Sequence, residues 1–409
     1  MKYRIEKRLA ERVNIQGSFA TTRRLSDNST FHKCFHRTVG HHLAVLLLLI
    51  SIGLGLGTAT AQAQIRAYVA HAGTSGTVSV IDTATNTVVA TIPVGPIPFA
   101  PIGIAITPDG TRVYVTNAGD PFDVASGTVA VIDTATNTVV ATIPVGILPE
   151  AVAITPDGTR AYVANTASGT ASVIDTVTNS VVATVAGLLD PLGVAITPDG
   201  TRAYVTNESG HVLVIDTATN TVVTDIGVGA VPIGIAITPD GTRAYVADEA
   251  NFAVSVIDTA TNTAFAYIPD LGAFGVAITP DGTRAYVAGG TVSVIDTATN
   301  NVIATTDYRV LNSIAVAFTP DGTRAYATNA GNGFNNIPPG ASVIDTATNT
   351  VVTNIPIPVT GLPIAIAITP APQVPKSKEE CKQGGYLKFG PPAGPFKNQG
   401  QCVSYVEHH

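Results

Sequence analysis

"VIDTATNTVVATIPVG" fills residues 80–95 and returns, letter for letter, at residues 131–146. Five looser copies follow, so that the VID motif recurs at Ile81, Ile132, Ile174, Ile215, Ile257, Ile295 and Ile344, at intervals of 51, 42, 41, 42, 38 and 49 residues. A catalytic pocket is built from residues that occur once, whereas a phrase copied around a chain reports architecture. Internal repetition near 40–45 residues marks a propeller or a solenoid.

Each unit divides into four short β-type runs, named a to d. In the fifth unit of the ring they are "PIGIAIT" (232–238), "TRAYVAD" (242–248), "FAVSVID" (252–258) and "AFAYIP" (264–269). The a–b link is "PDG", where Pro presets φ and Gly accepts a positive φ. The c–d link is "DTATN", where Asp closes an Asx-turn and Asn tolerates the left-handed region. Four such antiparallel strands make one propeller blade. The ends decide between ring and stack. The repeat region opens on a b run, "RAYVAHA" (66–72), and closes on an a run, "PIAIAIT" (363–369). The sets balance only if the last strand completes the first blade, which leaves no open end to cap. The sequence therefore predicts an all-β, seven-bladed propeller of four-stranded antiparallel blades, closed by the C-terminal strand.

The copies of "ITPDGTRAYVTN" and "VIDTATNTVVATIPVG" resemble the YVTN-type (YncE-like) β-propeller repeat of bacterial and archaeal secreted and surface-layer proteins. The resemblance covers about residues 64–372 and implies an extracytoplasmic propeller. Some members of that family are linked to surface layers or nucleic-acid binding. The composition agrees with the fold: 45% hydrophobic, 12% charged, 38 Gly, 27 Pro and no Trp.

Residues 1–63 read as a secretory signal peptide with a long basic n-region. The apolar run "LAVLLLLISIGLGLG" (43–57) precedes Ala61-Gln62-Ala63, an A-x-A cleavage site. An uncleaved anchor is the competing reading, although the run is short for a span. Cleavage would leave 13 Lys/Arg against 26 Asp/Glu, a formal charge of −13, with no transmembrane span in the mature chain. Such acidity disfavours nucleic acid as a partner. Residues 64–371 form the propeller and 372–380 a Pro-rich linker. Residues 381–409 form a small module in which Cys381 and Cys402, an even pair in an exported chain, read as one disulfide. Its "C-x-x-GG" start and "FKNQGQCVSYV" end resemble a C-terminal motif of secreted bacterial proteins, with Tyr386 where that motif carries Trp.

The repeated residues read as structural. Arg112 opens a b strand and Asp133 ends a c strand, so antiparallel pairing brings them together as an ion pair, as it does Arg202 and Asp216 and their counterparts. The tyrosine of each b strand reads as packing between blades, its hydroxyl reaching a turn. Function belongs where the copies disagree, on the face of the b–c loops and d–a crossovers. The candidate ligand residues there are Glu150, Asp190, Asp270, Tyr308, Arg309, Phe122, Phe252 and Phe334. No catalytic set, metal site or cofactor motif stands out: there is no C-x-x-C-H, phosphate loop, G-x-S-x-G or EF-hand loop. The chain is expected to be a monomeric, exported, non-enzymatic scaffold that binds a protein or glycan at the periplasm, cell surface or outside. A hydrolase or lactonase using the acids at the ring's mouth is the alternative, and a nucleic-acid-binding propeller the third reading.

Overall fold

A computed structural model describes residues 64–73, 76–95, 101–119, 127–269, 271–306, 313–331, 338–358, 361–371 and 382. Contacts divide the chain into Met1–Thr60 and Ala61–His409, and all described residues belong to the second unit. Asp270, Tyr308, Arg309, Phe122, Phe334, Cys381 and Cys402 lie outside the described residues.

Seven four-stranded antiparallel sheets form the blades. Blade 1 orders strand a (Leu362–Ile368), b (Arg66–Ala72), c (Thr77–Asp82) and d (Thr87–Pro93). Blades 2 to 7 are continuous in sequence, over residues 101–144, 149–186, 191–227, 232–268, 275–305 and 316–356. Each a strand touches the a strands of both neighbouring blades, so these strands form the inner wall of a ring. Strand d is the outer edge. In every blade the c–d ladder shifts register, leaving one bulged residue of strand d unpaired. The bulge disrupts an otherwise exposed edge, a common defence against edge-to-edge pairing.

The hydrophobic core is seven separate clusters, each shared by two adjacent blades. The cluster that closes the ring joins Tyr326, Val343 and Ile355 of blade 7 to Val69, Ile81 and Ile366 of blade 1. The tyrosines of strand b show why the text is copied. Each ring is buried, and its hydroxyl donates to the asparagine of the next blade's c–d turn: Tyr68 to Asn137 at 2.9 Å, Tyr162 to Asn220 at 2.7 Å, Tyr204 to Asn262 at 2.6 Å. Tyr326 of blade 7 donates to Asn86 of blade 1 at 2.6 Å and completes the circuit. All seven acceptor asparagines sit at φ between 52 and 57°, the left-handed region that Asn tolerates best among non-glycine residues. Burial raises the tyrosine pKa values, to about 12 at Tyr114 and Tyr326. Tyr326→Phe should lower stability by about 1 kcal/mol, a melting shift of roughly 2 °C for a domain this large. A thermal melt showing no change would mean that this bond does not help close the ring.

Candidate functional site

The ring has two unlike faces. The a–b and c–d turns share one face, and the b–c loops and d–a crossovers share the other.

Turn-face side chains are committed to holding the turns. In the PDG links, Thr107 Oγ1 donates to Asp109 at 2.5 Å, and Asp109 accepts the Thr111 amide at 3.0 Å. The same contacts recur at Thr155–Asp157, Thr197–Asp199 and Thr238–Asp240. The c–d aspartates accept amides two and three residues ahead, as Asp216 does from Ala218 and Thr219 at 3.0 Å. These donors stabilise the charged form. The Thr197 hydroxyl foremost holds Asp199 below the ordinary carboxylate range, and the Thr219 amide does so for Asp216.

The repeated arginines divide their partners. Arg112, Arg202 and Arg324 bond Asp133, Asp216 and Asp345 across their own blades, the second pair at 2.5 Å. Arg66, Arg243 and Arg284 instead donate to the carbonyls of Thr134, Thr297 and Thr346 in the following blade. The register places arginine opposite aspartate in all of these blades, so the choice is made by the side chain alone. Both partners of the Arg202–Asp216 pair are partly exposed, and such pairs contribute at most about 1 kcal/mol. Arg202→Ala should therefore shift the melt by no more than roughly 2 °C, and a larger fall would assign the pair a greater structural share.

The loop face differs from blade to blade. Glu150 sits on strand a of blade 3 (Pro149–Ile154), where the other blades carry Ile102, Leu192, Ile233, Phe274, Ile314 and Ile364. Here the inner strands nearly touch: a Cβ on Gly103 would lie 2.3 Å from the Glu150 carbonyl, and one on Gly193 would lie 2.1 Å from that of Ile233. Thr116 bridges this contact, accepting the Gly103 amide at 2.7 Å and donating to the Glu150 carbonyl at 3.1 Å. Asp190 lies on the next crossover, its carbonyl accepting the Glu208 amide at 3.2 Å. Glu150 and Asp190 thus stand on different elements. Among the described residues no group of three His, Cys, Asp or Glu could hold a metal ion, and no helix is long and apolar enough to cross a membrane.

Two apolar side chains stand out on this face. Leu189 is 65% exposed at φ 52°, and Phe252 is 61% exposed at φ 50°. Bulky non-glycine residues rarely adopt this conformation. Phe252 was legible as a departure from the copied text. Leu189 was not, because "GLLDP" reads as ordinary crossover sequence.

Beneath the loops, the sixth residue of strand b is buried and polar in six blades: His71, Asn117, Asn165, Asn207, Asp248 and Asn329. These side chains tie the b–c end to its surroundings. Asn117 donates to the Val94 carbonyl of the preceding crossover at 3.0 Å, and Asp248 accepts the Ala230 amide at 2.8 Å. His71 faces Ser79 Oγ through Nε2 at 3.0 Å, while its Nδ1 has no partner.

A YNCE-like β-propeller family model matches residues 120–212, within a ring of seven blades. Over that stretch the chain is similar to the YNCE-like β-propellers, and its fold is a seven-bladed β-propeller. No curated protein is significantly similar to this chain. Among solved structures, it is similar to hydrazine synthase of Kuenenia stuttgartiensis, at 25% identity over 66% of this chain and 90% of that one, TM-score 0.56. It also resembles a functionally unknown protein from Desulfotomaculum acetoxidans, at 19% identity over 75% and 99% of the two chains, TM-score 0.62. A putative 6-phosphogluconolactonase from Bacteroides uniformis matches at 15% identity over 75% and 100%, TM-score 0.60. The latter two likenesses speak for the fold alone.

Proposed function

We propose that this propeller is an exported, non-enzymatic scaffold that binds a protein or glycan through its loop face. The observation that carries the reading is the pair Leu189 and Phe252, apolar side chains held in solvent on left-handed backbone. Backbone strain of this kind costs about 1–3 kcal/mol per residue, and an exposed position gains no core packing in return. Apolar side chains presented on a rigid frame are the anchors that a partner's surface covers. The turn face offers the opposite case, since its polar groups are engaged with one another.

The test uses the full chain on a glycan array and in affinity capture from envelope extracts, beside the double variant Leu189→Ser/Phe252→Ser. The expected result is binding weakened at least tenfold with an unchanged melting temperature. Retained binding would remove the loop face from the proposal, and recovery of the native protein in the cytosol would remove export.

A second reading, lactone hydrolysis, draws on Glu150, the acid that replaces an apolar residue at the inner wall. Turnover of a lactone panel that disappears in Glu150→Gln would favour the enzyme over the scaffold.

A further inference from the structure

We infer that the loop-face partner is a protein with a basic segment, whose apolar side chains cover Leu189 and Phe252 while its Lys or Arg side chains meet Asp190 and Glu249. This rests on the loop-face reading above and narrows it to one class of partner.

Almost every described carboxylate of the ring is engaged. The PDG and c–d aspartates hold the hydroxyls and amides of their own turns, and Asp225 pairs with His211 Nδ1 at 2.6 Å. Asp248 accepts the amides of Ala230 and Val231, and Glu150 and Glu208 are engaged as well. Among the described residues, Asp190 and Glu249 alone keep carboxylates that no donor meets, and both are partly exposed. Each stands beside one of the exposed apolar side chains. Asp190 directly follows Leu189, and Glu249 precedes Phe252 by three residues.

The four residues belong to one sector of the loop face, over blades 4 and 5. The crossover into blade 4 carries Leu189 and Asp190, and the Asp190 carbonyl accepts the Glu208 amide of that blade's b–c loop at 3.2 Å. The same loop abuts the crossover into blade 5, where a Cβ on Gly210 would lie 2.0 Å from the Gly229 carbonyl. Val231 of that crossover accepts the Glu249 amide at 3.1 Å, and the blade 5 loop then runs on to Phe252. Buried side chains pin both loops from beneath. Asn207 Oδ1 accepts the Ser209 and His211 amides at 3.1 Å, and Asp248 Oδ1 accepts those of Ala250 and Asn251 at 3.1 and 3.2 Å. A surface ordered in advance loses little entropy when a partner binds.

No nearby cation offsets the two carboxylates. Every described arginine of residues 64–371 opens a strand b, at the turn-face end, and those residues contain no lysine. Glu249 is also outside the copied text, since five other blades carry Ala72, Ala118, Thr166, Gly290 and Ala330 at its position. Unpaired carboxylates beside apolar anchors attract Lys and Arg and reject partners that bear phosphate or carboxylate. Nucleic acid is disfavoured on that ground. A neutral glycan needs flat rings to stack on, and of the two anchors Phe252 alone supplies one.

An array of short synthetic peptides, probed with the full chain, tests the inference. Each peptide carries two residues from Leu, Ile, Phe and Trp, flanked by Lys/Arg in one set, Ser/Gln in a second and Asp/Glu in a third, with neutral oligosaccharides alongside. The basic set should bind about tenfold more tightly than the rest, as expected for two exposed charge pairs. Asp190→Asn/Glu249→Gln should lose about that factor, chiefly in association rate, whereas Leu189→Ser/Phe252→Ser should chiefly speed dissociation. Asn tolerates the φ of 57° at position 190, so the acid variant should melt as the original does. Asp199→Asn, on the turn face, should bind the basic set unchanged. Equal binding of the basic set by the acid variant, or tighter binding of any neutral or acidic probe, would overturn the inference. If such a probe binds and Leu189→Ser/Phe252→Ser releases it, the loop-face reading stands without this refinement. If no probe depends on Leu189 and Phe252, both fall.

Discussion

A chain stopped after Gly361 should fail to form the ring. That cut removes strand a of blade 1, Leu362–Ile368, which pairs with Arg66–Ala72 along its length. Ile364 and Ile366 lose nearly complete burial, worth about 1.5–3 kcal/mol each. The ladder hydrogen bonds go with them, and the cluster joining blades 7 and 1 loses Ile366. The combined loss matches the whole stability of an ordinary domain, about 5–15 kcal/mol. Closure also ends the exposure of the edge of blade 1, so the cut chain should aggregate as well as unfold. Circular dichroism and size exclusion should show a broad, early transition and soluble aggregate. A chain rearranged rather than cut provides the control. Joining Pro370 to Arg66 through Asp-Gly-Thr and reopening the chain at another PDG turn keeps every strand, and should melt within a few degrees of the original. A cut chain that melted like the intact one would show that the seven junctions do not act as one closed unit.

That expectation rests on closure, which was readable because the repeat region begins on a b run and ends on an a run. Strand positions were readable too, since PDG fixes the turn before strand b and DTATN the turn after strand c. Identical text concealed other features. In blades 1 and 2 the bulge of strand d lies within "TVVAT", where neighbouring valines give no sign of which one is unpaired. The arginines share one sequence context yet choose different acceptors, because a long exposed side chain finds carboxylate and carbonyl oxygens at similar cost. The tyrosine hydroxyls were expected to reach a turn, but adjacency between blades, invisible in a linear text, made that turn the next blade's. The loop face was the least readable part. Its residues occur once, so no internal comparison weighs them, and Glu150, Asp190 and Phe252 emerged only as departures from the copies. His71 was a departure of the same kind, standing where Asn117, Asn165, Asn207 and Asn329 end strand b in other blades.

His71 should set the acid limb of stability. Its side chain is fully buried, with Nε2 beside Ser79 Oγ and Nδ1 without a partner. Burial penalises the charged imidazolium and lowers the pKa from 6.5 to about 4. The unfolded chain therefore binds a proton between those values while the folded chain does not. Stability from this group is fully present above pH 6.5, declines as pH falls towards 4, and is constant below. The shift corresponds to about 3 kcal/mol. The turn aspartates act in a lower window. Their folded pKa values are depressed from 3.8, as at Asp157 and Asp240 through the hydroxyls of Thr155 and Thr238. Their contribution is present above pH 3.8 and is lost only as pH falls further, so the two effects separate on the pH axis. The ring itself supplies the replacement. Asn165 donates to Ser172 Oγ at 3.0 Å and Asn329 to Ser342 Oγ at 3.1 Å, the same strand-c position that Ser79 holds in blade 1. His71→Asn can take up that bond without a titrating group. Urea unfolding at pH 7.5 should differ little between the two proteins. At pH 4.5 the variant should be the more stable, by about 2–3 kcal/mol, and its stability between pH 6.5 and 4 should be flat where the original slopes. Parallel profiles through that window would mean that His71 titrates normally and that its burial carries no acid sensitivity.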